Sequence, residues 1–88
     1  MPIAGEVFIT PHAVRQFTAR IDNRLSYEQA LGAIIRGLQE ETTAIRPLLN
    51  GKGLCVRVRS KSRYNFRAVI VPQPEGRPAV LTILKSGR

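Results

Sequence analysis

The amino-acid sequence predicts an α+β fold: an N-terminal strand, then two helices packed on one face of a three- to four-stranded antiparallel sheet. Two helix-start signatures and one change of period carry this expectation. Thr10-Pro11 and Ser26-Tyr27-Glu28-Gln29 each open a stretch of helical periodicity, and after Gly53 the apolar residues recur at every second position. The predicted order is β-α-α-β-β-β, in a single domain over residues 1–88.

Val7-Phe8-Ile9 is a short apolar run that reads as a strand ending at Thr10-Pro11. Thr10 can cap a helix, and Pro11 suits the first helical position, where no N–H is needed. Val14, Phe17 and Ile21 then share one side of that helix, and His12, Gln16 and Arg20 form a ridge on another. In the second helix Ser26 and Gln29 have capping-box spacing. Tyr27, Ala30, Leu31, Ile34, Ile35 and Leu38 continue it as a broad apolar stripe, and Glu28 suits the positive end of the helix dipole. The helix is expected to stop between Gln39 and Arg46, because Pro47 and Asn50-Gly51 punctuate the next stretch of chain.

Leu54, Val56 and Val58 alternate with Cys55, Arg57 and Arg59, the pattern of a strand with one buried face. Ser60 to Arg63 form a polar turn. Tyr64, Phe66, Ala68 and Ile70 then alternate with Asn65, Arg67, Val69 and Val71. Pro72 to Pro78 make a second turn, and Ala79 to Lys85 a last strand. Gly51-Lys52-Gly53 is too short for a phosphate-binding loop and reads as a turn.

A chain of 88 residues has room for one modest core, and one of this size buries only about 60–65% of its unfolded surface. An apolar share of 43% is too high for a disordered basic tail. No apolar run approaches the ~20 residues that span a membrane, and the N-terminal residues carry no signal-peptide pattern. Cys55 stands alone, which excludes an intramolecular disulfide and a cysteine zinc site. A lone His12 and few carboxylates argue against a metal centre, and no cofactor is expected. The expected setting is the cytoplasm.

Charge is segregated along the chain. Through Gly51 there are five basic and five acidic residues; from Lys52 onward there are nine basic residues and one acidic residue, Glu75. The second part therefore carries the whole formal net charge of +8. A concentrated positive field points to a polyanionic partner, and nucleic acid supplies the densest row of negative charge. If the hairpin keeps its apolar residues on the core side, Arg57, Arg59, Asn65 and Arg67 share the other side, with Lys61 and Arg63 in the adjoining turn. Such a face binds polyanions, or it serves only solubility and protection against edge pairing.

The His12 ridge is the one group with chemistry beyond binding. A neutral histidine can take a proton, and a guanidinium two turns away can hold a phosphate, with the 2′-hydroxyl of RNA as nucleophile. The plain alternative is a surface histidine at a helix start. Cys55 has no histidine partner in its strand and reads as a small strand residue, while Tyr64 and Phe66 alternate with the core set.

The run Ile9-Thr10-Pro11-His12-Ala13-Val14-Arg15-Gln16-Phe17, continued to Arg20, resembles the I-T-x-H-A-x-x-R-[apolar]-x-x-R opening of small bacterial and phage proteins related to RelE- and BrnT-type toxins. These belong to the barnase–EndoU–colicin–RelE group of small ribonucleases. Leu25-Ser26-Tyr27-Glu28-Gln29-Ala30 and Val80-Leu81-Thr82-Ile83-Leu84 are similar to further short patterns of that group. The resemblance implies a RelE-like fold and metal-independent RNA cleavage, with His12, Arg20 and Thr82 as site residues. One position departs: where the pattern has an arginine four residues after the histidine, this chain has Gln16. Arg15 lies one place earlier, roughly 100° around the helix.

Three functions stand as expectations. The first is a small RNA-directed protein acting as a ribonuclease toxin, with Arg15, Arg57, Arg59, Lys61, Arg63 and Arg67 holding the nucleic acid. The second is a nucleic-acid-binding protein without chemistry. The third is a protein-interaction module, such as a phage-type inhibitor, whose basic face meets an acidic host protein; the partner expected of a toxin is an acidic antitoxin. None of the three involves a membrane.

Overall fold

The computed structural model describes residues 7–40, 42–49, 51–59, 64–74 and 76–85. In chain order they form β1 (Phe8–Ile9), α1 (Pro11–Arg20), α2 (Tyr27–Glu40), β2 (Thr42–Pro47), β3 (Leu54–Arg59), β4 (Asn65–Val71) and β5 (Ala79–Lys85). The strands make one sheet in the order β1-β5-β4-β3-β2. β1 lies parallel to β5, and every other neighbouring pair is antiparallel.

Both helix starts are built as their residues predict. The Thr10 hydroxyl oxygen accepts from the Ala13 N–H at 3.1 Å and donates to the Val80 carbonyl at 2.7 Å, so one side chain caps α1 and fastens it to β5. At α2 the box is reciprocal: Gln29 N–H donates to Ser26 Oγ at 3.2 Å, and Ser26 N–H donates to Gln29 Oε1 at 2.9 Å. α2 ends at Glu40, and the Thr42 hydroxyl donates to the Leu38 carbonyl, one of the helix's last orphan acceptors.

The α+β architecture is as expected, with both helices over one face of the sheet. Ala13, Val14 and Phe17 of α1 and Ala30, Ile34 and Leu38 of α2 pack on Val56, Val58, Phe66, Ala68, Ile70, Val80 and Ile83. The aromatic centre is Phe17, whose ring meets Tyr64 and Phe66 edge-on, each at 5.3 Å. α2 comes close to the sheet at Gly37, where a Cβ would stand 2.9 Å from Val58 Cγ1 and 3.1 Å from Phe66 Cζ. Glycine is what permits that approach.

The sheet is wider than the three or four antiparallel strands expected, and it is mixed. Residues 42–47, expected in the helix end and the following loop, form β2, paired with β3. Thr42, Thr43 and Ile45 are β-branched and favour extended backbone. Arg46, Pro47 and the irregularity between Thr42 and Ala44 blunt this outer edge against further pairing. The connection from β1 to its parallel partner β5 runs through both helices and then β2, β3 and β4.

β5 carries a bulge. Val69 pairs with Thr82 and Ile70 with Val80, which leaves Leu81 as the extra residue. Val80 and Ile83 are therefore both fully buried although three residues apart, while Leu81 and Thr82 turn to the other side. The free edge of β5 beyond β1 is closed partly by Arg20, whose Nη1 donates to the Ile83 carbonyl at 3.2 Å. Among the described residues no helix is long and apolar enough to cross a membrane.

Candidate nucleic-acid interface

The helices leave one sheet face bare, and the register decides what stands on it. Val56, Val58, Phe66 and Ala68 point into the core, so Arg57, Arg59, Asn65 and Arg67 point away from the helices. Arg57 lies directly opposite Arg67, and Arg59 opposite Asn65. Facing positions on antiparallel strands have Cα atoms about 4.5–5.5 Å apart, so the register sets two like-charged residues directly opposite each other.

Arg67 is half-buried and oriented. Its Nε and Nη2 both donate to the Lys85 carbonyl, at 3.2 and 3.0 Å, which draws the guanidinium toward β5 and away from Arg57. Arg57 and Arg59 are exposed. Among the described residues, the acidic side chains Asp22, Glu28 and Glu40 all sit in the helices or the loop joining them. None of them stands on the arginine face.

Arg46 joins this group without having been expected there. On β2 it pairs with Cys55, one of the outward residues of β3, and lies diagonal to Arg57. The β-branched residues Thr42, Thr43 and Ile45 are the one local signal that Arg46 belongs to a strand. Cys55 is partly exposed among these neighbours. Lys61 and Arg63, expected in the adjoining turn, lie outside the described residues.

The rest of the bare face is apolar. Val69, Val71, Leu81 and Leu84 lead to an open groove of about 470 Å³ lined by Phe8, Thr10, Gln73, Arg77, Ala79 and Leu81. Phe8 is half exposed there, opposite Ala79.

The residues expected to act in catalysis are placed differently. His12 is exposed in the first turn of α1, and Arg20 ends the same helix; eight residues of rise separate their backbones by about 12 Å. Thr82 pairs with Val69 on the bare face, so the sheet lies between it and α1. The structure thus keeps His12 and Arg20 on one helix and does not bring Thr82 to them. Arg15 is exposed on α1, on the helix side of the sheet, apart from the arginine face.

Beside Arg20 is a hollow of about 410 Å³ shared with Asn23, Arg24, Tyr64 and the Asp22 carboxylate. Asp22 accepts from Arg24 N–H at 3.0 Å, from Arg24 Nε and Nη2 at 3.1 and 3.3 Å, and from the Tyr64 hydroxyl at 2.8 Å. The Arg24 side chain first, then its backbone N–H and the Tyr64 hydroxyl, pull the Asp22 carboxyl down to about 2. The wall of the hollow therefore carries an Arg24–Asp22 ion pair beside Arg20.

Among the described residues no group of three or more His, Cys, Asp or Glu side chains is placed to hold a metal ion. Set against protein-family models, curated proteins and solved structures, the chain matches none.

Proposed function

We propose that this chain is a nucleic-acid-binding protein, directed to RNA, whose helix-free sheet face holds the phosphate backbone through Arg46, Arg57, Arg59 and Arg67. The observation that carries it is the Arg57–Arg67 pair, two like charges set opposite each other on a face where no described carboxylate stands. An anion between them relieves the repulsion and forms charge-assisted hydrogen bonds. Lys61 and Arg63 are two further cations between β3 and β4 in the sequence. RNA is the first choice of polymer because the opening of the chain resembles small RNA-directed proteins.

Binding is favoured over cleavage because Arg20 already donates to the Ile83 carbonyl at the edge of β5, and Thr82 lies on the other face of the sheet from His12 and Arg20. The test combines two measurements: RNA affinity of the wild type and of an Arg57→Ala/Arg67→Ala variant, and incubation with ribosomes, total RNA and tRNA without divalent metal. Affinity that depends on the two arginines, with the RNA left intact, is the expected result. A defined cleavage product that His12→Ala abolishes would establish the ribonuclease instead. No RNA affinity, together with stoichiometric capture of one acidic protein, would establish the inhibitor.

A further inference from the structure

The distribution of aromatic rings says which form of nucleic acid this face suits. Proteins that hold single strands stack unpaired bases on exposed aromatic side chains. Here Phe17 and Phe66 are fully buried. Tyr64 packs edge-on against Phe17 and spends its hydroxyl on Asp22. Tyr27 is half exposed, but on α2, on the helix side of the sheet. Phe8 alone shares the bare face, beyond β5 at its far edge. Two strands across and four residues along separate it from Arg67, roughly 16 Å by strand geometry.

The neighbours of the arginines carry no ring either. Ala44, Cys55, Asn65, Val69 and Thr82 share the bare face with Arg46, Arg57, Arg59 and Arg67. The segment Ser60-Lys61-Ser62-Arg63 adds two cations and no aromatic residue to the sequence between β3 and β4. The charged positions form a grid, spaced about 5 Å across strands and 6–7 Å along β3. Such a grid meets rows of phosphates and offers unpaired bases nothing to stack on.

From this geometry we infer that the arginine face binds double-stranded RNA in preference to single-stranded RNA, and reads the backbone without regard to base sequence. A duplex keeps its bases stacked on each other and presents two phosphate rows, so it loses nothing by the absence of aromatic partners. A single strand must leave its own base stacking without replacement. This inference rests on the nucleic-acid reading above and narrows it to one substrate class.

The test is a competition with the full chain. Fluorescently labelled RNA duplex is displaced by unlabelled duplex, by single-stranded RNA of equal length, and by duplexes of altered sequence, over a range of salt. Expected is a preference of about tenfold for duplex over single strand and a duplex salt slope of roughly −3 to −4, as four phosphate contacts give. Duplexes of different sequence should compete equally. A parallel arm places 2-aminopurine in the single strand, and its fluorescence should stay unquenched on binding.

Equal or tighter binding of the single strand, quenching of 2-aminopurine, or a strong sequence preference would overturn the inference and leave nucleic-acid binding standing. Failure of every nucleic acid to bind would instead overturn the reading on which it rests.

Discussion

Arg57 and Arg67 face each other across the β3–β4 ladder on the sheet face that no helix covers. A protein selected for stability alone gains nothing from that pairing, since like charges directly opposite cost a few tenths of a kcal/mol, up to about 1. Only one of the two is anchored: Arg67 donates to the Lys85 carbonyl, whereas Arg57 is exposed.

The first prediction concerns the free protein. Arg57→Ala should leave thermal stability unchanged or raise it by up to about 0.5 kcal/mol in low salt. Phosphate or sulfate should raise the melting temperature of the wild type more than chloride does at equal ionic strength. The Arg57→Ala/Arg67→Ala variant should show a smaller difference, because only the general stabilising effect of these anions remains. Thermal melts in the three salts check it.

The second separates two glycines of α2. Gly32 is exposed with nothing within 4 Å of an added Cβ, so Gly32→Ala should stabilise, by about 0.5–1 kcal/mol, as in other helix interiors. Gly37→Ala puts its methyl 2.9 Å from Val58 Cγ1, and overpacking costs about 1–3 kcal/mol. It should destabilise despite the better helix former, and denaturant melts of the two variants should shift in opposite directions.

The third is a pH dependence. The Asp22 carboxyl is lowered from 3.8 to about 2 in the folded protein. A folded value below the unfolded one means the carboxylate stabilises the fold above 3.8 and loses that contribution as the pH falls through about 2. Wild type should therefore weaken with acid more steeply in that window than Asp22→Asn. Arg24 is mostly exposed, so salt should reduce its share, while the Tyr64 hydroxyl bond persists. Melting curves from neutral pH down to pH 2, with and without salt, measure both effects.

The fourth addresses Arg20 and His12. Arg20→Ala frees the Ile83 carbonyl on the edge of β5, and should lower stability by about 0.5–1.5 kcal/mol while RNA affinity holds. His12→Ala should change neither, since the ring is exposed. Urea titrations and RNA binding on both variants decide this.

Much of the fold is legible in the chain because its signals are local. Thr10-Pro11 and the Ser26–Gln29 box mark helix starts through bonds made within three residues. Alternation alone places Arg57, Arg59 and Arg67 on one face. β2 was not legible, because Thr42–Pro47 is short, ends in proline and lies at an edge where half-exposed Ile45 breaks the burial contrast. Arg46 was lost with it. The bulge at Leu81 hid the facing of Thr82, since one extra residue shifts the alternation of everything beyond it. The bonds of Arg20 to Ile83 and of Tyr64 to Asp22 span 63 and 42 residues, and no local pattern announces them.

The most direct measurement is the salt dependence of RNA binding by the wild type and by a folded Arg57→Ala/Arg67→Ala variant. The variant should bind more weakly at every salt concentration, with a logarithmic salt slope shallower by roughly 2, one contact for each arginine removed. Equal affinities and equal slopes, with both proteins folded, would contradict a phosphate-binding role for this face.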